Sequence, residues 1–168
     1  PDLTTGVGWA ETMGAVVYVA HPYWTQLPLD DLLEQRGFAG IEVYNGASDR
    51  ETGRGDSSVW WDALLARGRR TFGIGTDDQH YPLFELATGW TMVRAANRSQ
   101  AAVLAALRDG MAYFSHGPQI HHVAEVDGAP AGALDPLPVQ PAPRDLAGVD
   151  VARRRGLTGG MGMGMGMG

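Results

Sequence analysis

Apolar residues occur along this chain in short continuous runs, separated by polar or glycine-rich segments. Runs at residues 16–20, 38–44 and 70–76 predict strands buried on both faces, and Glu42 is the one charged residue inside the second run. Weaker patterns predict further strands at residues 90–95, 113–114 and 123–126. Each of the three strong runs stops abruptly at polar residues, so the strand ends are well defined.

Helix signals occupy the segments between several of these runs. One helix is predicted at residues 29–36 after Pro28, a second follows Asp56 or Ser57 and ends at Gly68, and a third runs from Ser99 to Gly110. Asn45 and Gly46 predict a turn, and the polar residues 49–56 a surface loop. Alternating strands and helices indicate an α/β fold with a parallel sheet, in which chemistry collects at the carboxyl ends of the strands.

Composition narrows the choice of class and partner. The chain has 168 residues, which suffices for one domain, a net charge of −6 and no cysteine. The negative charge argues against binding to nucleic acid, and the lack of a long apolar run argues against a segment that spans a membrane. We expect a compact domain over residues 1–128, a proline-rich irregular extension over residues 129–158, and a Gly/Met tail without fixed structure over residues 159–168.

Two strand ends carry residues that bind metals. His21, followed by Pro22, comes directly after the first run, and Asp77, Asp78 and His80 come directly after the third. Carboxylate oxygen and neutral imidazole suit zinc, manganese or iron. Asp78 and His80 have the better spacing for one ion, whereas Asp77 points to the other side of the strand and is predicted to orient a ligand or hold the loop. A simple turn remains the alternative for these acids.

Three further residues are candidates for the same region. Glu42 lies in an apolar strand, so its charge needs a metal ion, an arginine or solvent, with contact to substrate as the functional reading. Asn45 is predicted either to hydrogen-bond a substrate or to stabilise a turn. His116, in a Ser-His-Gly-Pro turn, is a candidate ligand, a candidate substrate contact or a residue with no role. A Ser-His-Asp hydrolase, a phosphate-binding loop and a dinucleotide fingerprint are excluded for want of their motifs.

The chain resembles the PHP (polymerase and histidinol phosphatase) family of metal-dependent hydrolases, and most of all its CehA/McbA-like branch. The resemblance covers residues 16–128. It is carried by Ala20-His21-Pro22, Gly40-Ile41-Glu42-Val43-Tyr44-Asn45-Gly46, the segment at residues 73–80, Gly89-Trp90-Thr91-Met92-Val93-Arg94-Ala95, and the segments at residues 105–110 and 113–118. It implies a distorted (β/α)7 barrel, with His21, Asp78 and His80 as metal ligands and two or three Zn, Mn or Fe ions in the intact parent.

The amino-terminal His-x-His motif of that family is absent, so the resemblance implies a partial barrel that lacks the amino-terminal strands. We expect a phosphoesterase-like hydrolase in which Asp78 coordinates metal and takes a proton, present here as an incomplete fragment; the alternative is a non-catalytic truncated scaffold. The expected partner is a small-molecule substrate, with neither nucleic acid nor membrane, and unpaired strand edges predict self-association. The compartment is left open, with the cytoplasm as default, because the chain begins at Pro1.

Overall fold

Helices and strands alternate along most of the chain in this computed structural model, which describes residues 2–81, 84–126 and 129–135, with backbone alone from residue 121 onward. The order is α1 (Leu3–Thr12), β1 (Tyr18–Val19), α2 (Leu29–Glu34), β2 (Gly40–Asn45), α3 (Gly46–Thr52), α4 (Ser58–Ala66), β3 (Phe72–Thr76), β4 (Trp90–Val93), α5 (Gln100–Arg108), β5 (Ala112–Ser115), β6 (Gln119–Val126) and β7 (Ala129–Asp135).

The first three strands form a parallel sheet in the order β1-β2-β3. These are the strands predicted from the three strong apolar runs, and their pairing is the parallel one that the helices between them require. The central strand β2 is the most buried, with Ile41 0% and Val43 2% exposed. Around it lies a hydrophobic core completed by Val19, Leu32, Phe38 and Leu64. The carboxyl ends of all three strands therefore open at one edge of the sheet.

The strands β4 and β5 differ from the parallel arrangement predicted for them, because they pair antiparallel to each other. The hydroxyl of Thr91 in β4 joins this pair to β3: it accepts from the amide of Gly75 at 3.0 Å and donates to its carbonyl at 2.7 Å. A side chain thus replaces backbone pairing at this junction. The described strands form three separate sheets, and the (β/α)7 barrel stays a prediction.

The helices predicted at residues 29–36, after Ser57 and after Ser99 are confirmed as α2, α4 and α5. The polar loop predicted at residues 49–56 is wrong in its first half, because α3 extends to Thr52. Helix α4 is held at two points by adjacent indoles, with Trp60 Nε1 donating to the carbonyl of Leu27 and Trp61 Nε1 to that of Thr71, both at 3.0 Å.

The described chain continues as strand beyond the expected domain end. β6 and β7 pair antiparallel, and β7 falls within the segment for which an irregular extension was predicted. The predictions for Gly128 and for residues 136–168, which include the Gly/Met tail, lie outside the described residues. None of the described helices is long and apolar enough to cross a membrane.

Replacing Gly8 by alanine is expected to raise the free energy of unfolding by about 0.5–1 kcal/mol. Gly8 lies inside α1 and is exposed, and a Cβ there would meet nothing within 4 Å, so the substitution removes backbone entropy from the unfolded chain without a clash. Urea denaturation measures the change. Gly68→Ala is the control of opposite sign, because Gly68 is equally open but has a φ of +70°. Equal shifts in both variants would contradict this explanation.

Candidate functional site

A cleft of about 350 Å³ lies beyond the carboxyl ends of β1, β2 and β3, where sites form in parallel sheets. Its lining residues come from the segments that follow β1 and β3 and from α3. They are His21, Trp24, Ala47, Ser48, Glu51, Asp78, His80 and Tyr81. All three residues that the sequence nominated as metal ligands, His21, Asp78 and His80, are therefore brought to one cleft.

His21 is held in an unusual conformation at the end of β1. Its φ is +28°, in the left-handed region that residues other than glycine seldom adopt, and its amide donates to Glu42 Oε2 at 2.8 Å. The imidazole packs edge-on against Trp24, with ring centroids 5.1 Å apart. Its Nδ1 atom is buried and has no hydrogen-bond partner among the described residues. A buried ring nitrogen without a partner is costly, so it marks a position suited to a ligand.

Asp78 and His80 follow β3 and contact each other. Asp78 also has a left-handed backbone, with φ +49°. His80 Nδ1 lies 2.7 Å from the carbonyl oxygen of Asp78 and 3.8 Å from its carboxylate Oδ1. When Nδ1 donates to that carbonyl, Nε2 carries the lone pair, which is the usual arrangement of a metal-binding histidine. The His80 side chain is 66% exposed, so this hydrogen bond is the described contact that orients its ring.

Glu42 is buried beneath the cleft and is only 5% exposed. Its carboxylate accepts three hydrogen bonds: from the His21 amide to Oε2, from Asn45 Nδ2 to Oε2 at 3.0 Å, and from the Thr76 hydroxyl to Oε1 at 2.5 Å. The group is thus satisfied by neutral donors from the ends of three strands, and none of its hydrogen-bond partners among the described residues is an arginine. Glu42 is not among the lining residues of the cleft, and the substrate contact proposed for it from the sequence stays a prediction.

Asn45 is 1% exposed and ends β2 as the N-cap of α3. Its Oδ1 accepts from the amide of Ser48 at 2.8 Å, while Nδ2 donates to Glu42 and to Asp78 Oδ2, the latter at 3.1 Å. The turn that the sequence predicted at this position is the start of a helix. The Asn45 side chain is thus almost fully enclosed, and the hydrogen bond to substrate that was its alternative role stays a prediction.

Acidic side chains hold the loop after β3. Asp77 Oδ2 accepts from the amide of Ala87 at 3.1 Å, which is the loop-holding position predicted for it. Glu85, which the sequence analysis did not identify, is 0% exposed and its Oε2 accepts from the amides of His80 and Tyr81 at 2.5 and 2.7 Å. Its Oε1 has no partner in the part of the chain that is described. Nothing in the sequence around Glu85 distinguishes it from a surface acid.

His116 lies outside the cleft lining and stacks on Tyr44, with ring centroids 4.7 Å apart and planes 23° apart. Burial, reinforced by the neighbouring carboxylate of Asp49, raises the pKa of the Tyr44 phenol above its ordinary value. The phenol donates to Asp49 Oδ2 at 3.3 Å and is neutral at physiological pH. His116 thus has an aromatic partner in Tyr44, and the substrate contact predicted for it stays a prediction.

The cleft has metal-ligand chemistry but not a closed coordination sphere. Over residues 2–81 and 84–120, no group of three His, Asp or Glu side chains is close enough together to hold one ion. His21, Asp78 and His80 share the cleft wall, and binding one ion through all three requires their side chains to rearrange. The donor types, two imidazoles and a carboxylate, are those that zinc, manganese and iron accept.

Comparisons with known proteins leave the family of this chain open. A scan against protein-family models, a search of curated proteins and a search of solved structures each found no match.

Proposed function

We propose that the cleft beyond β1–β3 binds a divalent metal ion through His21, Asp78 and His80, and that the protein is a metal-dependent hydrolase of phosphate esters or related acyl bonds. The observation that carries the proposal is the presence of these three side chains on the wall of one cleft at the carboxyl ends of parallel strands. The resemblance of the sequence to PHP-type hydrolases, with their (β/α)7 barrel, supports the same conclusion.

The side chains fit a metal ion in their chemistry. His21 has a buried ring nitrogen without a partner, and His80 has one ring nitrogen occupied by a carbonyl, which leaves the other available. Asp78 accepts one hydrogen bond at Oδ2, from Asn45, and its Oδ1 faces His80. The left-handed backbone at both His21 and Asp78 is the kind of strain that collects at functional sites.

The residues of the cleft suggest how hydrolysis would be supported. A divalent ion supplies a Lewis acid and lowers the pKa of a bound water toward neutrality. Asp78 would orient that water and accept its proton, and His21 and His80 would act as neutral ligands. The described cleft wall contains no lysine or arginine, and Glu51 adds a second carboxylate to it. An anionic phosphate ester would therefore depend on the metal ion for its attraction to the cleft.

A second candidate is a chain that folds around the same cleft without catalysis. The absence of three convergent His, Asp or Glu side chains in the described residues favours it. In this case the hydrogen bonds of Glu42 and Asn45 would serve folding alone. The two candidates differ in whether the chain takes up a metal ion, which makes metal affinity the measurement that separates them.

We expect the purified chain to bind about one equivalent of zinc or manganese and to hydrolyse a generic aryl phosphate. His21→Ala and His80→Ala should each lower metal affinity and turnover by about 100-fold or more, because each removes a direct ligand. Equilibrium dialysis with element analysis measures the first quantity, and release of the phenol measures the second.

His116→Ala is the matched control, since it removes an exposed histidine that stacks on Tyr44 outside the cleft. Its metal affinity and turnover should equal those of the unmodified chain. A chain that binds neither ion and has no turnover would support the non-catalytic candidate. Equal losses in His80→Ala and His116→Ala would show that the effect is not specific to the cleft.

A further inference from the structure

We propose that Asn45 is a positioning residue whose amide bridges two carboxylates and thereby fixes the side chain of Asp78 in the cleft. The inference rests on the proposed metal site for its functional meaning. Its structural part, the link between Asn45 and Asp78, is measurable without any metal. Asn45 has no contact with the space where a substrate would bind, because it is 1% exposed and does not line the cleft.

Every polar atom of the Asn45 side chain is used. Nδ2 donates to Glu42 Oε2 at 3.0 Å and to Asp78 Oδ2 at 3.1 Å, so its two hydrogens serve two acids. Oδ1 accepts from the Ser48 amide at 2.8 Å and caps α3. Two carboxylates near one another repel, and an amide that donates to both offsets this repulsion. The bridge therefore holds the Asp78 carboxylate at a fixed place beside the buried Glu42.

The same oxygen of Glu42 links both candidate ligands. Glu42 Oε2 accepts from the His21 amide at 2.8 Å and from Asn45 Nδ2, and Asn45 passes the connection on to Asp78. The ends of β1, β2 and β3 are thus connected through one carboxylate atom and one amide. Because an imidazole and a carboxylate must be placed accurately to share an ion, this connection sets the separation of His21 and Asp78.

At this position the side chain has to donate to two carboxylates, accept the capping hydrogen bond of α3 and add no charge. Asparagine is the one common side chain that does all of this. Aspartate has no hydrogen to donate and would add a third negative charge, and serine has a single hydrogen on a shorter side chain. Glutamine is longer by one methylene, which displaces its amide from the cap position. Serine nevertheless caps helices well. Asn45→Ser therefore removes the bridge while it keeps a capping oxygen and adds no charge.

The test measures zinc affinity of the full chain by competition with a chelating dye. Asn45→Ser should weaken zinc binding by about 10–100-fold, the usual effect of removing a group that orients a ligand. Ser99→Ala is the matched control: it removes the corresponding cap of α5, where Ser99 Oγ accepts from Ala102 at 3.2 Å, at a place remote in sequence from the cleft segments. Its zinc affinity should not change.

A double-mutant cycle with Asp78→Ala separates positioning from general destabilisation. If Asn45 acts through Asp78, Asn45→Ser should change zinc affinity less than about twofold once Asp78 is alanine. A purely structural role would weaken zinc binding equally in both backgrounds and would overturn the inference. If the unmodified chain binds zinc and Asn45→Ser binds it with the same affinity, the inference about Asn45 is also overturned. The proposed metal site would not be contradicted by that result.

The unfolding equilibria of the same four proteins give a readout that needs no metal. If the two effects were independent, the unfolding constant of the double variant would change by the product of the changes in Asn45→Ser and Asp78→Ala. The bridge predicts that the measured change differs from this product by about threefold or more. If the unmodified chain binds no zinc, the proposed function fails, and this cycle still decides the bridge. Effects that multiply would overturn the inference, and effects that do not multiply would support it.

Discussion

Replacing Glu42 by alanine is expected to lower the free energy of unfolding by about 3 kcal/mol, because it removes a buried hydrogen-bond acceptor. The carboxylate is 5% exposed and receives hydrogen bonds from His21, Asn45 and Thr76, which belong to three strand ends. Removing the acceptor deprives three donors at the strand ends of their common partner. Urea denaturation measures the loss.

Two companion variants sharpen this result. Glu42→Gln should cost only about 1 kcal/mol, because its amide oxygen still accepts from His21 and Asn45 while the Thr76 hydroxyl reverses and accepts from the new NH₂ group. Glu34→Ala, an exposed glutamate at the end of α2, should change stability by less than about 0.5 kcal/mol. Equal losses for Glu42→Ala and Glu34→Ala would refute the central role of the buried carboxylate.

Replacing Gly40 by alanine is expected to destabilise the fold by about 3 kcal/mol or more, because no room exists for a side chain at the start of β2. A Cβ at Gly40 would lie 1.9 Å from the carbonyl oxygen of Phe72 and 2.6 Å from Cε1 of Tyr18. Phe72 is the residue that pairs with Gly40 in β3. Since the first clash is with backbone, relief requires the strands to separate.

Gly53→Ala is the control for this substitution. Gly53 closes α3 with φ +69°, and a Cβ there would meet nothing within 4 Å, so the expected loss is only the strain of about 1 kcal/mol. Thermal unfolding of both variants, with circular dichroism to confirm folding, gives the comparison. A Gly40→Ala protein as stable as Gly53→Ala would mean that β2 and β3 are not packed as closely as described.

The strands of the parallel sheet could be predicted because their signal is local. The apolar runs that became β1, β2 and β3 are continuous, and His21 and Asp78 stand directly after two of them. From parallel pairing it follows that such residues share an edge, and the cleft contains both. The prediction needed no knowledge of loops, only of strand ends.

Two helices were missed for different reasons. α3 is polar along most of its length, with Asp49, Arg50 and Glu51 in sequence, so it has no apolar stripe to detect. Its boundary signals were nevertheless present, since Asn45 is an N-cap residue and Gly53 a left-handed terminator. α1 contains two glycines, which weaken any helix signal, and its formation depends on packing.

The interior of the site depends on contacts that sequence does not reveal. Glu42 was recognised as a charge in need of a partner, but its partners include Thr76, 34 residues away. The antiparallel pairing of β4 with β5 across α5, and the burial of Glu85, likewise arise from tertiary packing. The local sequence pattern identified three residues that line the cleft, whereas the hydrogen-bond partners around them depend on the tertiary fold.

The left-handed backbone at His21 and Asp78 also limits how far the thermal stability of this protein can be raised by substitution. Glycine at either position would relax the local strain, and each such change would remove a candidate ligand at the same time. If the proposed metal site is correct, thermal stability and metal binding therefore compete at these two residues, and gains in stability have to come from elsewhere in the chain, such as the open glycines of α1.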